Sequence, residues 1–177
     1  DGSNPVTVKG ILGVDPVELR HRADLRALLG IEDPEILRDH VFMTDAVAEL
    51  LGVKPGDRVI VKGIPLTVGP LVNATRFTAL VDMDNTSIIP IDYAQMQETG
   101  AKSTGAADDL LTQQANWANL PTDSVVVMSD ENCARAGGKV SVVHLYTHDS
   151  DTATRIAEDY ARMMDRMPII ATRQDGV

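Results

Sequence analysis

The stretch from Thr44 to Val72 places the tightest limits on the fold, because its stop and turn signals come in a fixed order. Thr44 is suited to cap a short helix with Val47, Leu50 and Leu51 on its apolar face, and Gly52 is suited to end it. Val53-Lys54-Pro55-Gly56-Asp57 reads as a Pro-Gly turn. Val59–Val61 and Leu66–Val72 flank Lys62-Gly63-Ile64-Pro65 and predict a β-hairpin with a turn of about four residues. Gly52 and Gly56 are the hinge positions of this unit. Asp57 is expected to accept backbone N–H bonds in the turn, a structural task.

Around this unit the pattern alternates between strand and helix. Residues 5–14 read as a β-branched strand with glycine interruptions. Asp15-Pro16 opens a helix, Leu19, Leu25, Leu28 and Leu29 supply its stripe, and Gly30 closes it. Residues 40–43 form a short extended piece. Arg76–Val81 and Ser87–Ile91 are strand candidates around the polar turn Asp82-Met83-Asp84-Asn85-Thr86, with Pro90 at a strand end. Residues 98–123 are rich in small and polar residues, with a short helix expected over 108–117. Val125–Met128 and Lys139–Thr147 read as strands. Asp149-Ser150-Asp151 caps a helix with Ile156, Tyr160, Met163, Met164 and Met167 on one face, and Pro168 leads to a last strand, Ile169–Thr172. The fold class is therefore α+β in two lobes. Residues 1–40 and 121–177 make a βαβ-type lobe, residues 41–97 a β-rich lobe inserted into it, and 98–120 a connecting segment.

The chain has 177 residues, 44% of them hydrophobic, which is enough for a real core. Aromatics are only 3%, so aliphatic side chains and Met must fill it. A net charge of −10 repels a phosphate backbone and argues against nucleic-acid binding. With Cys133 as the single cysteine, no internal disulfide or Cys-rich zinc site can form. No stretch approaches the roughly 18–20 consecutive apolar residues of a membrane span. Asp1-Gly2-Ser3-Asn4 lacks the features of a signal peptide.

The usual chemical constellations fail one by one. His144 and His148 sit in a β-like context, where a spacing of four sets them ~13 Å apart and gives no metal pair. A calcium loop starting at Asp82 would need Gly at its sixth position and Glu at its twelfth, and Ser87 and Tyr93 stand there. Asx hydrogen bonds in a hairpin tip are the expected role of that turn. Cys133 lies among acids that raise a thiol pKa. Gly137-Gly138 lacks the rest of a phosphate-binding fingerprint, and the adjacent acids Asp108-Asp109 and Glu158-Asp159 point apart on helices. No catalytic residue, cofactor site or metal site is expected. Trp117, the only Trp, serves as a partner anchor or as a plug for its own loop; the methionines of the last helix are core or an adaptable surface.

Val41 to Val59, the hairpin that follows, and the run Asp82-Met83-Asp84-Asn85-Thr86-Ser87-Ile88-Ile89-Pro90-Ile91 together resemble the MacB-like periplasmic core domain of FtsX-type ABC transporter permeases. The helix ending in Leu51-Gly52, the Gly56-Asp57 turn and the hydrophobic-Pro ending carry the resemblance. So does the tail, where Val142-Val143-His144-Leu145-Tyr146 precedes an amphipathic helix. It spans roughly residues 5–175 and is distinctive over 41–92. Gly69-Pro70 and residues 98–123 depart from the family pattern.

The resemblance implies a non-enzymatic, extracytoplasmic domain held at the cell membrane by helices outside this sequence. Its implied partners are a second or homologous permease, a cytoplasmic ATPase acting through the membrane helices, and a periplasmic adaptor or lipoprotein cargo. Arg76, Asp82, Asp84, Asn85 and Trp117 are the candidate contact residues. Two other classes stay open. A cytosolic double-psi or AAA N-domain-like binding module predicts a closed barrel around residues 53–92. An enzyme predicts a concave pocket with perturbed titratable groups. The permease reading predicts that Pro5 and Thr172 lie close together.

Overall fold

Val125-Val126-Val127-Met128-Ser129 forms a strand in which all five residues are buried. Apolar residues without polar alternation suit a strand covered on both faces. A computed structural model describes residues 5–82, 85–92, 94–95, 118–139, 142, 144, 146–147 and 149–163. Over these residues the protein is α+β, with six α-helices and two small sheets. Strand β1 (Gly10–Val14) leads to α1 (Pro16–His21), α2 (Ala23–Leu29), β2 (His40–Val41) and α3 (Asp45–Leu51). The hairpin β3 (Arg58–Val61) and β4 (Ile64–Val68) follows, then α4 (Ala74–Ala79), β5 (Val125–Ser129), α5 (Asp130–Arg135) and α6 (Ser150–Met163).

β1 pairs in parallel with β5, from Gly10 opposite Val125 to Val14 opposite Ser129. On the other edge of β5, Phe42 and Val127 exchange both backbone hydrogen bonds at 2.8 Å. The two faces of β5 then serve two cores. Val125 and Val127 join Leu19, Leu29, Leu37, Phe42 and Phe77. Val126 and Met128 join Val41, Met43, Val47, Leu66 and Val68. The second sheet has the order β2-β4-β3, with β2 parallel and β3 antiparallel to β4.

The chain divides into two compact units, Asp1–Leu80 with Ser87–Lys139, and Val81–Thr86 with Val140–Val177. The separate lobe anticipated for 41–97 is not delimited by this packing, because Phe42, Val72 and Phe77 share a core with Leu19, Leu37 and Val125. In the second unit, α6 begins behind Asp149, whose Oδ1 accepts the Thr152 N–H at 2.7 Å.

Local signals explain most element ends. Asp15 accepts the Val17 N–H at 2.7 Å, with Pro16 at the first helical position. The helix expected to run unbroken to Gly30 is interrupted at Arg22 (φ −106°, ψ 84°), whose guanidinium clamps both oxygens of Asp24 at 2.9 and 2.8 Å. Arg76–Val81 is a correction. The expected strand is the helix α4, started by Asn73 Oδ1 accepting the Arg76 N–H at 2.9 Å. Ser87–Ile91 makes an isolated bridge, Ile91 to Asn119, instead of a strand. Among the described residues of 53–92 there is thus a hairpin and a helix where the barrel alternative required a closed sheet. The expected strand over 139–147 rests in part on residues outside the described set, and the described ones there are not in a strand. The helix expected over 108–117, the strand Ile169–Thr172, Met164, Met167 and the proximity of Pro5 and Thr172 also involve residues outside that set.

Two polar residues in the core differ in how they are satisfied. Asn132 donates from Nδ2 to the Arg38 carbonyl at 2.7 Å and accepts from Arg135 at 3.1 Å, so α5 is tied to the chain just before β2. Thr44 is fully buried at the start of α3, and its hydroxyl has no hydrogen-bond partner among the described residues. An unmade buried hydrogen bond costs about 1–3 kcal/mol. Thr44→Val, which replaces the hydroxyl by a methyl group of similar volume, should leave the urea midpoint unchanged or raise stability by up to about 1 kcal/mol. A loss of more than that would show that the hydroxyl is bonded after all.

Asp149 gives a pH dependence. The Thr152 N–H, then the Thr152 hydroxyl, hold its carboxyl below the ordinary value. A group whose folded-state pKa is depressed stabilises above the unfolded value and loses that contribution as pH falls through the folded one. Helical circular dichroism should therefore fall on acidification below about pH 4. Asp149→Asn keeps an acceptor but has no charge to titrate, so it should remove the α6 share of that acid limb, while Asp24 and Glu35, also held below their ordinary values by arginines, keep theirs; an unchanged limb would refute the assignment.

Candidate interaction surface

The hairpin turn has two residues, Lys62 (φ 49°) and Gly63 (φ 85°), with Val61 opposite Ile64. Positive φ at both positions marks the primed turn whose twist matches the strands. Ile64 and Pro65, expected in the turn, therefore belong to β4. Val59 and Val61 face Leu66 and Ile64 on the core side. Arg58 and Ile60, paired with Thr67 and Pro65, occupy the outer face. Pro65 is tolerated in this central strand for a reason of parity. The N–H groups of Thr67 and Gly69 donate towards the β2 side, to Asp39 and Val41, so the missing N–H of Pro65 would point that way too, beyond the end of two-residue β2.

This outer surface leaves Ile60 76% exposed, and Leu50 on α3 is 63% exposed. Lys54, Arg58 and Lys62 are also exposed, and none of their side-chain cations is in an ion pair among the described residues. Sequence reasoning placed Leu50 on the apolar face of its helix; the structure buries Val47 and Ala48 and leaves Leu50 outside. The exposure of Ile60 had a readable signal: it shares strand parity with Arg58, the charged residue of β3.

Gly52 ends α3 in the left-handed region (φ 68°), with its N–H directed to the Ala48 and Glu49 carbonyls. A side chain in that conformation is strained, which is why glycine suits the site. Gly56 donates to the Val68 carbonyl at 2.8 Å, and Asp57 Oδ2 accepts the Lys54 N–H at 2.9 Å. Gly56 and Asp57 join the turn to the hairpin through their backbone bonds to Val68, while Gly52 closes the helix before it.

The anticipated contact residues are distributed differently from the sequence reading. Arg76 lies on helix α4 of the first unit and does not flank a strand-turn-strand tip. Asp82 and Asn85 belong to the second unit, where the Asn85 N–H donates to the Asp82 carbonyl at 3.0 Å. The Asp82 carboxylate, assigned above to Asx bonds, faces His144, with Nε2 at 2.8 Å from Oδ1 and 3.1 Å from Oδ2. Asp84, Trp117 and His148 lie outside the described residues. Among the described residues no group of three His, Cys, Asp or Glu side chains could hold a metal ion.

Two further features bear on chemistry. An open groove of about 310 Å³ is lined by Ile31, Ile36, His40, Pro55, Val68 and Pro70 with few polar groups, and the Nδ1 of His40 sits 2.9 Å from the Ile36 carbonyl. Cys133 is half-buried, and burial, then the charge of Asp130, push its thiol pKa up. That environment disfavours the thiolate a nucleophile needs.

His144 and Asp82, each only 17% and 13% exposed, join distant parts of the sequence. A double-mutant cycle with His144→Ala and Asp82→Ala should give a coupling of about 0.5–1.5 kcal/mol in unfolding free energy. Additive single effects would show that the pair is a contact without consequence.

No family model, curated protein or solved structure matches the chain.

Proposed function

We propose that this chain is a non-catalytic extracytoplasmic domain of an ABC transporter permease, handling an adaptor or a lipoprotein cargo outside the membrane. The observation that supports this most is the unit from Thr44 to Val68. A helix closed by Gly52, a Gly56-Asp57 turn and a tight hairpin stand in the order of the resembled permease domains. In this reading residues 1–40 and 121–177 form the membrane-proximal part and 41–97 the part inserted into it. ATP is bound and hydrolysed by a separate subunit or domain, and its motion reaches this domain through membrane helices, as rigid-body coupling of the hinge or shear kind. A second or homologous permease completes the pair. Arg76, Asp82, Asp84, Asn85 and Trp117 remain the contact residues proposed for this role.

The reading is tested on the parent reading frame. Its translation should carry an apolar stretch of about 20 residues before residue 1 and further such stretches after residue 177. The expressed parent protein should then sediment with membranes and resist extraction at high pH. A stop codon or a cytosolic ATPase domain in those places, with the protein in the soluble fraction, would overturn it.

A further inference from the structure

We propose that the free edge of β3 is a strand-addition site for an extended, acidic segment of a partner protein. The hairpin carries the argument whatever protein it belongs to, so this inference does not rest on the permease reading. Among the described residues β3 pairs only with β4. The Val68 N–H donates to the Asp57 carbonyl at 2.8 Å, so residues 57, 59 and 61 direct their backbone groups to β4. Arg58 and Ile60 direct theirs to the open edge, where an added strand can pair with them. Ile60 and the exposed Pro65 beside it supply an apolar contact on the outer face.

Charge decides the occupant. The chain carries −10 overall, yet this hairpin and its entry turn present three cations, Lys54, Arg58 and Lys62, to the one carboxylate of Asp57, and none of the three side chains is in an ion pair among the described residues. A second copy fits less well, because pairing Ile60 with its own counterpart sets Arg58 opposite Lys62 twice, and any self-pairing along this edge gathers the cations of both copies, where like charges are unfavourable. An acidic strand meets the same cations favourably.

The turn adds an independent sign. Position 62 has φ 49°, where Asn, Asp or Gly is at ease and Lys is not. A strained residue points to a use beyond folding, here a cation held at the hairpin tip.

The test is a nitrogen-15 NMR titration of the whole chain with a synthetic alternating Glu-Val peptide and with its Lys-Val counterpart. The acidic peptide should shift and protect the Arg58 and Ile60 amides, and bind more tightly than the basic one. Lys62→Asn should raise the unfolding midpoint and yet weaken acidic-peptide binding about threefold, and Arg58→Glu should weaken it roughly tenfold. Absence of saturable shifts at millimolar peptide, equal affinity for both peptides, shifts centred outside the hairpin, or Lys62→Asn binding as tightly as the parent each overturns the proposal. Self-association of the chain through this edge would do so as well.

Discussion

Everything described in the first unit depends on β5 having no exposed face. Its five residues are all buried, and consecutive side chains enter different cores. A strand in that position must satisfy its backbone on both edges, since an unpaired buried N–H or C=O is costly. β1 does so on one edge, and Phe42 on the other. Each neighbour then brings its own layer. β1 leads into α1 and α2, whose leucines cover Val125 and Val127. Phe42 directly follows β2 and leads into α3, and the hairpin follows over Val126 and Met128. Asn132, in the helix that follows the strand, fastens this arrangement by donating from Nδ2 to the Arg38 carbonyl just before β2.

The hairpin is the outermost layer of that arrangement, and its two faces answer to different constraints. The inner face is held by Ile64, Leu66 and Val68 against the second core. The outer face has no such duty and carries Ile60 between Arg58 and the turn at Lys62. Pro65 shows how closely backbone parity governs what is allowed there. One residue either way, its missing N–H would have broken a rung of the ladder with β3.

Much of this was legible in the residues because the relevant signals act within a few positions. Asp15-Pro16, Thr44, Gly52, the Pro55-Gly56-Asp57 turn and Asp149 mark element ends that the structure also has. The misreadings came from competing local signals. Residues 76–81 have the composition of a strand, but the cap at Asn73 wins and starts α4. α5 has a local signal as well, Ser129 followed by Asp130 and Glu131, a cap with an acidic first turn, but the segment is only six residues long and lacks an apolar stripe. The candidate surface was less legible. Nothing near Asp82 announces that its carboxylate meets His144, since the two are far apart in sequence.

The sequence by itself determined several element ends, at Asp15, Gly30, Gly52, Asp57 and Asp149, because caps, left-handed glycines and tight turns depend on atoms within about four residues of each other. It also determined the chemical character of the chain, an aliphatic interior with an acidic surface. Only the tertiary structure decided that Gly10 pairs with Val125, that Phe42 takes the opposite edge, that Leu50 is outside while Val47 is inside, and that the edge of β3 lacks a second strand among the described residues. Those outcomes depend on which surfaces compete for burial across the whole chain, and a local pattern cannot rank surfaces it does not contain.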